Sequence, residues 1–326
     1  MRDLSSFPHL GLITPGYSLG VSEAVWEQDT WGFAEGDEIV PGRHAVRLLG
    51  GGRRYEAYLV WDDALYALAV AKVVRPGQTA SSRTLAGMAG EAEALSLLAH
   101  PSLVRCFDAV LDGERPHLLL ELLDGPRLST LERRYGLAVE QLLPLALQLC
   151  SALHYMHGQG WAHLDVKPRN IIMSSTPRLI DLSVAQRFGD ARRASSPIGT
   201  DAYMAPEQCD PARFDEIGPA SDSWGLGVTL YEALTDELPF LRGDGAAESL
   251  AARYPQVSGE PEPLGDDVLP PLRDAVHACL EDDPSARPLP AEISEALEPL
   301  VALLPLPRLG RFRPGARPSR PPAPAR

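Results

Sequence analysis

Between His163 and Asn170 the chain runs His-Leu-Asp-Val-Lys-Pro-Arg-Asn, and a short apolar run then leads to Asp181 in Arg-Leu-Ile-Asp-Leu-Ser. Lys167 follows Asp165 by two residues and Asn170 follows it by five, so a tight loop brings all three to one pocket. Carboxylate and amide oxygens are the hard ligands that Mg²⁺ prefers, commonly beside substrate phosphates. A lysine neutralises charge on a transferring phosphoryl group. The remaining carboxylate can orient and deprotonate an attacking hydroxyl.

Such groups need rigid elements to carry them. Ala45 to Leu49, Tyr55 to Asp62 and Leu65 to Val74 are rich in β-branched, aromatic and aliphatic residues, with turn signals at Gly50-Gly51-Gly52 and Asp62-Asp63. They read as strands. Leu85, Met88, Ala92, Leu95 and Leu98 form a helical stripe over Thr84 to Ala99. His117 to Leu122 reads as a further strand. Leu142, Leu145, Leu149, Leu153 and Met156 trace the face of a long buried helix, and Leu226, Leu230 and Leu234 trace another. A small, mainly β lobe therefore precedes a larger helical one.

Composition narrows the classes. The 326 residues are 44% hydrophobic and 23% charged, enough apolar material for a sizeable core. Thirty basic against forty-four acidic residues leave a net charge of −14, which argues against nucleic acid as a general partner. Cys106, Cys150, Cys209 and Cys279 lie far apart with no CxxC pair, and read as reduced thiols. No segment has the ~18–20 apolar residues of a membrane helix, and the N-terminus lacks a basic region followed by an apolar core. The expected location is cytoplasmic. From Pro305 onward, seven prolines, six arginines and no acid predict a disordered basic tail, suited to an acidic partner if it binds anything.

The sequence HLDVKPRN resembles the catalytic loop of protein kinases, and Asp181-Leu-Ser183 stands where that family has its metal-binding Asp-Phe-Gly. Ala69-Val-Ala-Lys72 is similar to the third-strand lysine motif, and Gly50-Gly51-Gly52 to the start of the glycine-rich loop. Gly199-Thr200 through Ala205-Pro206-Glu207 resembles the end of the activation segment, and Asp222-Ser-Trp-Gly225 the start of the buried helix beneath it. Arg287 occupies the place of the arginine that pairs with the glutamate of Ala-Pro-Glu, here Glu207. The matches fall in order over roughly residues 43 to 300.

The resemblance implies an α+β, two-lobed fold. A small β-rich N-lobe would occupy about 43–123 and a larger, mainly helical C-lobe about 124–304, between an extension of unassigned role (1–42) and the tail (305–326). It implies a serine/threonine protein kinase using ATP and Mg²⁺, with Mn²⁺ the alternative ion, and protein substrates. Lys167 and the Gly-Thr before Ala-Pro-Glu carry the serine/threonine reading. On this reading Asp165 is the catalytic base and Lys167 touches the γ-phosphate. Asn170 and Asp181 hold the metal, and Lys72 contacts the α- and β-phosphates. Its partner is Glu91, ten residues before Pro101 of the His100-Pro101 turn, with Glu93 the fallback. Gly50 and Gly52 cover the nucleotide, Leu120 is the gatekeeper, and Glu121 to Leu123 form the hinge that meets adenine.

Several positions depart from the pattern. Tyr55 stands at the third glycine and Ala57 at a usual valine, with Arg53 and Arg54 at the loop tip. The arginines read as solvated, with direct phosphate contact the alternative. Leu164 replaces the arginine of His-Arg-Asp, the cation that awaits a phosphorylated activation loop, so activity is expected not to need that phosphorylation. Ser183 replaces the glycine of Asp-Phe-Gly and restricts the backbone there. These changes support a second reading, a pseudokinase acting as a nucleotide- or protein-binding module. A third is a small-molecule kinase, against which the span from Asp181 to Glu207 argues. His154, His157 and His163 resemble a metal cluster on paper, but Gly158 and Gly160 break the helix between them.

Overall fold

The structure, a computed structural model, describes residues 29–304 except 136, 192–195 and 212–216. The tail from Pro305, and with it the expected contact to an acidic partner, lies outside the described residues, as do residues 1–28 of the N-terminal extension.

The N-lobe is one antiparallel sheet built from β1 (Glu38–Val40), β2 (Arg43–Gly51), β3 (Tyr55–Asp62), β4 (Ala67–Val74), β5 (Cys106–Val110) and β6 (His117–Glu121). Their spatial order is β1-β2-β3-β4-β6-β5. Alternation along β4 separates packing from chemistry. Ala69, Ala71 and Val73 are buried with Ile39, Ala45, Tyr58, Val60 and Leu119. A strand's period of two therefore sends Val70 and Lys72 to the opposite face.

Helix α1 (Ser82–Leu97) starts where the Ser81 hydroxyl accepts the Thr84 N–H at 3.3 Å. The stripe predicts a helix to Ala99, but the chain turns extended at Leu98 (φ −99°, ψ 118°). Pro101 disfavours helical backbone at His100, which explains the earlier stop. β4 begins at Ala67 rather than Leu65 because Tyr66 takes a left-handed turn conformation (φ 53°). β2 is longer than predicted, and β6 stops at Glu121. β1, which pairs with β2, was not predicted, since three residues are too short to show alternation.

The C-lobe runs through α2 (Leu128–Tyr135) and α3 (Val139–Gly158), then four two-residue strands. These are β7 (Trp161–Ala162), β8 (Ile171–Ile172), β9 (Arg178–Leu179) and β10 (Gln186–Arg187), paired β7 with β10 and β8 with β9. Short α4 (Phe188–Ala191) and α5 (Pro206–Cys209) precede α6 (Pro219–Thr235), α7 (Leu250–Arg253), α8 (Pro270–Cys279) and α9 (Pro290–Val301). The predicted faces are core. Leu142, Leu145, Leu149, Leu153 and Met156 of α3 are buried, with Leu226 and Leu230 of α6, and α3 packs on both α6 and α9. α6 begins at a proline, whose fixed φ suits a first helical residue, and stops at Asp236 in a left-handed conformation (φ 60°).

The four cysteines are free thiols, three of them buried. Among the described residues no helix is long and apolar enough to cross a membrane.

Candidate active site

Lys72 projects from the inward face of β4 onto two carboxylates. Its Nζ lies 2.5 Å from Glu91 Oε2 and 2.7 Å from Asp181 Oδ1. Glu91 shares a face of α1 with Met88 and Leu95, all three buried, as their three- and four-residue spacing requires. Glu93, the fallback, points elsewhere and pairs with Arg187 at 3.0 Å. Burial pushes the Glu91 carboxyl up from its ordinary range while Lys72 pulls it back. Burial would also raise Asp181, but Lys72 and a hydrogen bond from Ser183 overcome it and hold that carboxyl well below the usual range. Lys72 is correspondingly raised: burial opposes its charge, and the two carboxylates more than offset that. The ion-paired cluster is therefore firmly charged at Lys72 and Asp181.

The catalytic-loop residues form a second, adjoining cluster. Asp165 Oδ2 accepts from Lys167 Nζ at 2.6 Å and from Asn170 Nδ2 at 3.0 Å, and Oδ1 accepts from Thr200 Oγ1 at 2.7 Å. Lys167 also donates to the Thr200 hydroxyl. Asn170 Nδ2 reaches the Asp165 carbonyl too (2.9 Å), which commits the amide nitrogen to the loop. Its oxygen has no hydrogen-bonding partner among the described residues. Ile180 N–H donates to the Asn170 carbonyl at 2.8 Å, tying the two clusters together, and the Lys167 charge helps to lower Asp181. An amide oxygen and an ionised carboxylate are hard donors, so Asn170 and Asp181 suit a divalent cation such as Mg²⁺.

What holds this loop is Asp222 at the start of α6. Its buried carboxylate accepts the backbone N–H of His163 (2.8 Å) and Leu164 (2.7 Å) and faces His157 Nε2 at 2.9 Å. Leu164 is thereby held in a left-handed conformation (φ 63°). His163 is fully buried; burial keeps its imidazole below its ordinary range, and Nδ1 accepts the Asp165 N–H at 3.3 Å. His154 is exposed, whereas His157 and His163 both lie beside Asp222.

Each departure from the family pattern has its own structural setting. Leu164 is buried in an apolar cluster with Ala162 and Ile217, against Phe188 and Ile198. Gln208 bridges the same place, donating to Leu164 O (2.9 Å) and Ile198 O (2.8 Å). Tyr55 turns down from the glycine-rich loop: its hydroxyl donates to Thr84 O at 2.8 Å, and Lys72 Nζ sits 4.8 Å from its ring centre. Gly87 makes room for it, since a Cβ there would come within 3.0 Å of that hydroxyl. Ala57 lies opposite Lys72 in the ladder between β3 and β4. Gly50 has a φ of +139°, and Gly52 N–H closes the hairpin on Tyr55 O at 2.9 Å. Glu121, the last residue of β6, and Leu123, just beyond the strand, are both part-buried, and Glu121 meets Arg178 at 3.5 Å.

Sequence reasoning missed two groups at this site. The downward turn of Tyr55 was not anticipated, although a bulky residue in place of glycine is a signal that something fills the space. The tether made by Gln208 has no signal in its type or spacing.

Residues 43–297 match the family model described as the protein kinase domain. Among curated proteins the chain is 31% identical over 226 residues to the serine/threonine-protein kinase PknB of Mycobacterium leprae, covering 66% of this chain and 35% of that protein. It is 30% identical over 254 residues to PknB of Mycolicibacterium smegmatis (74% of this chain, 40% of that one). It is also 30% identical over 257 residues to PknA of Mycobacterium tuberculosis (76% and 58%). The chain thus spans between about a third and three-fifths of the length of these relatives. With that match extending over most of its length, the chain belongs to the protein kinase domain family.

Proposed function

We propose that the chain is an active serine/threonine protein kinase that transfers the γ-phosphoryl group of ATP to protein hydroxyl groups. The observation that carries this reading is that the Lys72–Glu91–Asp181 cluster adjoins the Asp165–Lys167–Asn170–Thr200 cluster, the two tied by the Ile180 N–H on the Asn170 carbonyl. Asp165 is placed to orient and deprotonate an attacking hydroxyl. Lys167, on the same carboxylate, is placed to offset negative charge on the group in transfer. Lys72, fixed by Glu91, supplies a cation to the nucleotide phosphates, and Gly50, Gly52, Glu121 and Leu123 frame the nucleotide. Asn170 and Asp181 would hold Mg²⁺, which supplies charge neutralisation at the phosphates.

The test is transfer from labelled ATP to a generic protein substrate, with small hydroxylated metabolites as parallel acceptors and a chelator as control. Protein labelling that chelation abolishes is the expected result. Labelling of metabolites alone favours a small-molecule kinase. The absence of either, with nucleotide still bound, favours a binding module, the reading that Tyr55 supports by filling space beside Lys72.

Activity on this reading needs no phosphate on the activation segment. The family's arginine is a leucine here, and apolar contacts with the Gln208 bridge hold Ile198 to the catalytic loop instead. Ser195 lies outside the described residues and Ser196 is exposed. Alanine at either is expected to change the transfer rate by no more than about threefold, under 1 kcal/mol in barrier, whereas Thr200→Ala lowers it because that hydroxyl touches Asp165. A tenfold loss at Ser195 or Ser196 would refute the independence.

A further inference from the structure

Trp31 and Phe33 lie ahead of the family match and are packed on the N-lobe sheet. Trp31 Nε1 donates to Val74 O at 2.8 Å, and its backbone N–H donates to Glu56 Oε2 at 3.3 Å. Phe33 meets Tyr58 edge-on at 5.3 Å, and the Arg115 guanidinium lies 5.2 Å from the Trp31 ring and 5.1 Å from the Phe33 ring. Asp29 Oδ1 accepts the Gly77 N–H at 2.8 Å. A Cβ at residue 77 would lie 3.0 Å from that carboxylate, so glycine there admits Asp29.

Arg75 gathers these contacts. It is buried, donates to Glu56 Oε1 at 2.9 Å and to the Asp29 carbonyl, and its Nε donates to Gly52 O at 2.6 Å. A Cβ at Gly51 would stand 3.1 Å from its Nη2. Glu56 is buried as well and also accepts the Tyr58 hydroxyl at 3.0 Å. A buried ion pair is costly unless its hydrogen-bonding groups are satisfied. Here one guanidinium is shared between the Asp29–Ala34 strap, β3 and Gly52 of the glycine-rich loop.

We infer that Arg75 is a positioning residue for the glycine-rich loop, keyed by Glu56 and by the strap, so that the segment before the family match is a working part of the nucleotide site. The inference rests on the nucleotide-binding reading above. A charge-assisted hydrogen bond holds the Gly52 carbonyl in place. A loop ordered before the nucleotide arrives does not have to be ordered by it, and preordering tightens binding.

Trp31→Ala, remote from the cleft, and Arg75→Ala separate the possibilities in the 326-residue chain. MgADP affinity by titration calorimetry is expected to fall about tenfold, the scale of freeing one or two residues. KM for ATP should rise with kcat little changed. Amide deuterium uptake should quicken at residues 50–55 while α6 is unaffected. If Arg75→Ala does not fold, Trp31→Ala alone decides through that local uptake. Loop exchange and MgADP affinity unchanged in Trp31→Ala, beside normal binding by the wild type, overturn the inference alone. A wild-type chain that binds no MgADP overturns the nucleotide reading and this inference together.

Discussion

Asp165→Asn lowers phosphoryl transfer to a protein hydroxyl by about 10²–10⁴-fold, the usual contribution of a positioned general base. The substitution keeps the shape of the side chain and one oxygen for Lys167 and Asn170, which both meet Oδ2 now, and turns its amide nitrogen toward the Thr200 hydroxyl, which can accept from it. It removes the basic oxygen that takes the hydroxyl proton. MgADP affinity and melting temperature should therefore stay near wild-type values while kcat collapses. Single-turnover kinetics beside calorimetry make the measurement. A variant as fast as the wild type would show that the proton leaves by another route, and the catalytic assignment of this loop would fail.

Arg287→Met costs about 3–5 kcal/mol of folding stability, the penalty for leaving one half of a buried ion pair alone. Both side chains of the Arg287–Glu207 pair are fully buried. Nη1 and Nη2 bind the two Glu207 oxygens at 2.7 and 3.0 Å. Nη1 also reaches Ala220 O, Nη2 Asp282 O and Nε Glu281 O, so each of the five N–H groups of the guanidinium has an acceptor. Among the described residues, the stranded Glu207 would retain only Ser221 Oγ, at 2.7 Å, as a side-chain donor. Urea unfolding gives the loss directly. Adding Glu207→Gln to Arg287→Met should recover part of it, because no charge is then left unpaired. A single variant within 1 kcal/mol of wild type would mean that water reaches this pair.

The candidate constellation was legible as a cluster because its spacing is short and its residue types are chemically specific. Asp165, Lys167 and Asn170 share one turn of chain, and Asp181 follows across a two-strand ribbon. Glu91 was harder to read. Charge alone does not separate it from Glu93, and helical phase decides, since only Glu91 shares the face of Met88 and Leu95. The lobes were legible from periodicity, while element ends were not, because proline and left-handed residues set them locally. For the strap, the sequence offers aromatics such as Trp31 and Phe33 that could dock on this body or on a partner and does not decide between them. The strap's partners, Glu56, Arg75 and Arg115, are ordinary charged residues of strands and turns, and nothing in their spacing marks them as buried or joined.

The apolar cluster around Leu164 has a consequence for control. A latch of hydrocarbon neither loosens with rising ionic strength, as exposed charge pairs do, nor opens under a phosphatase. On the proposed reading, an enzyme fastened in this way would be on as soon as it folds. Its output would then be governed by how much of it is synthesised, how long it survives, and which targets come within reach.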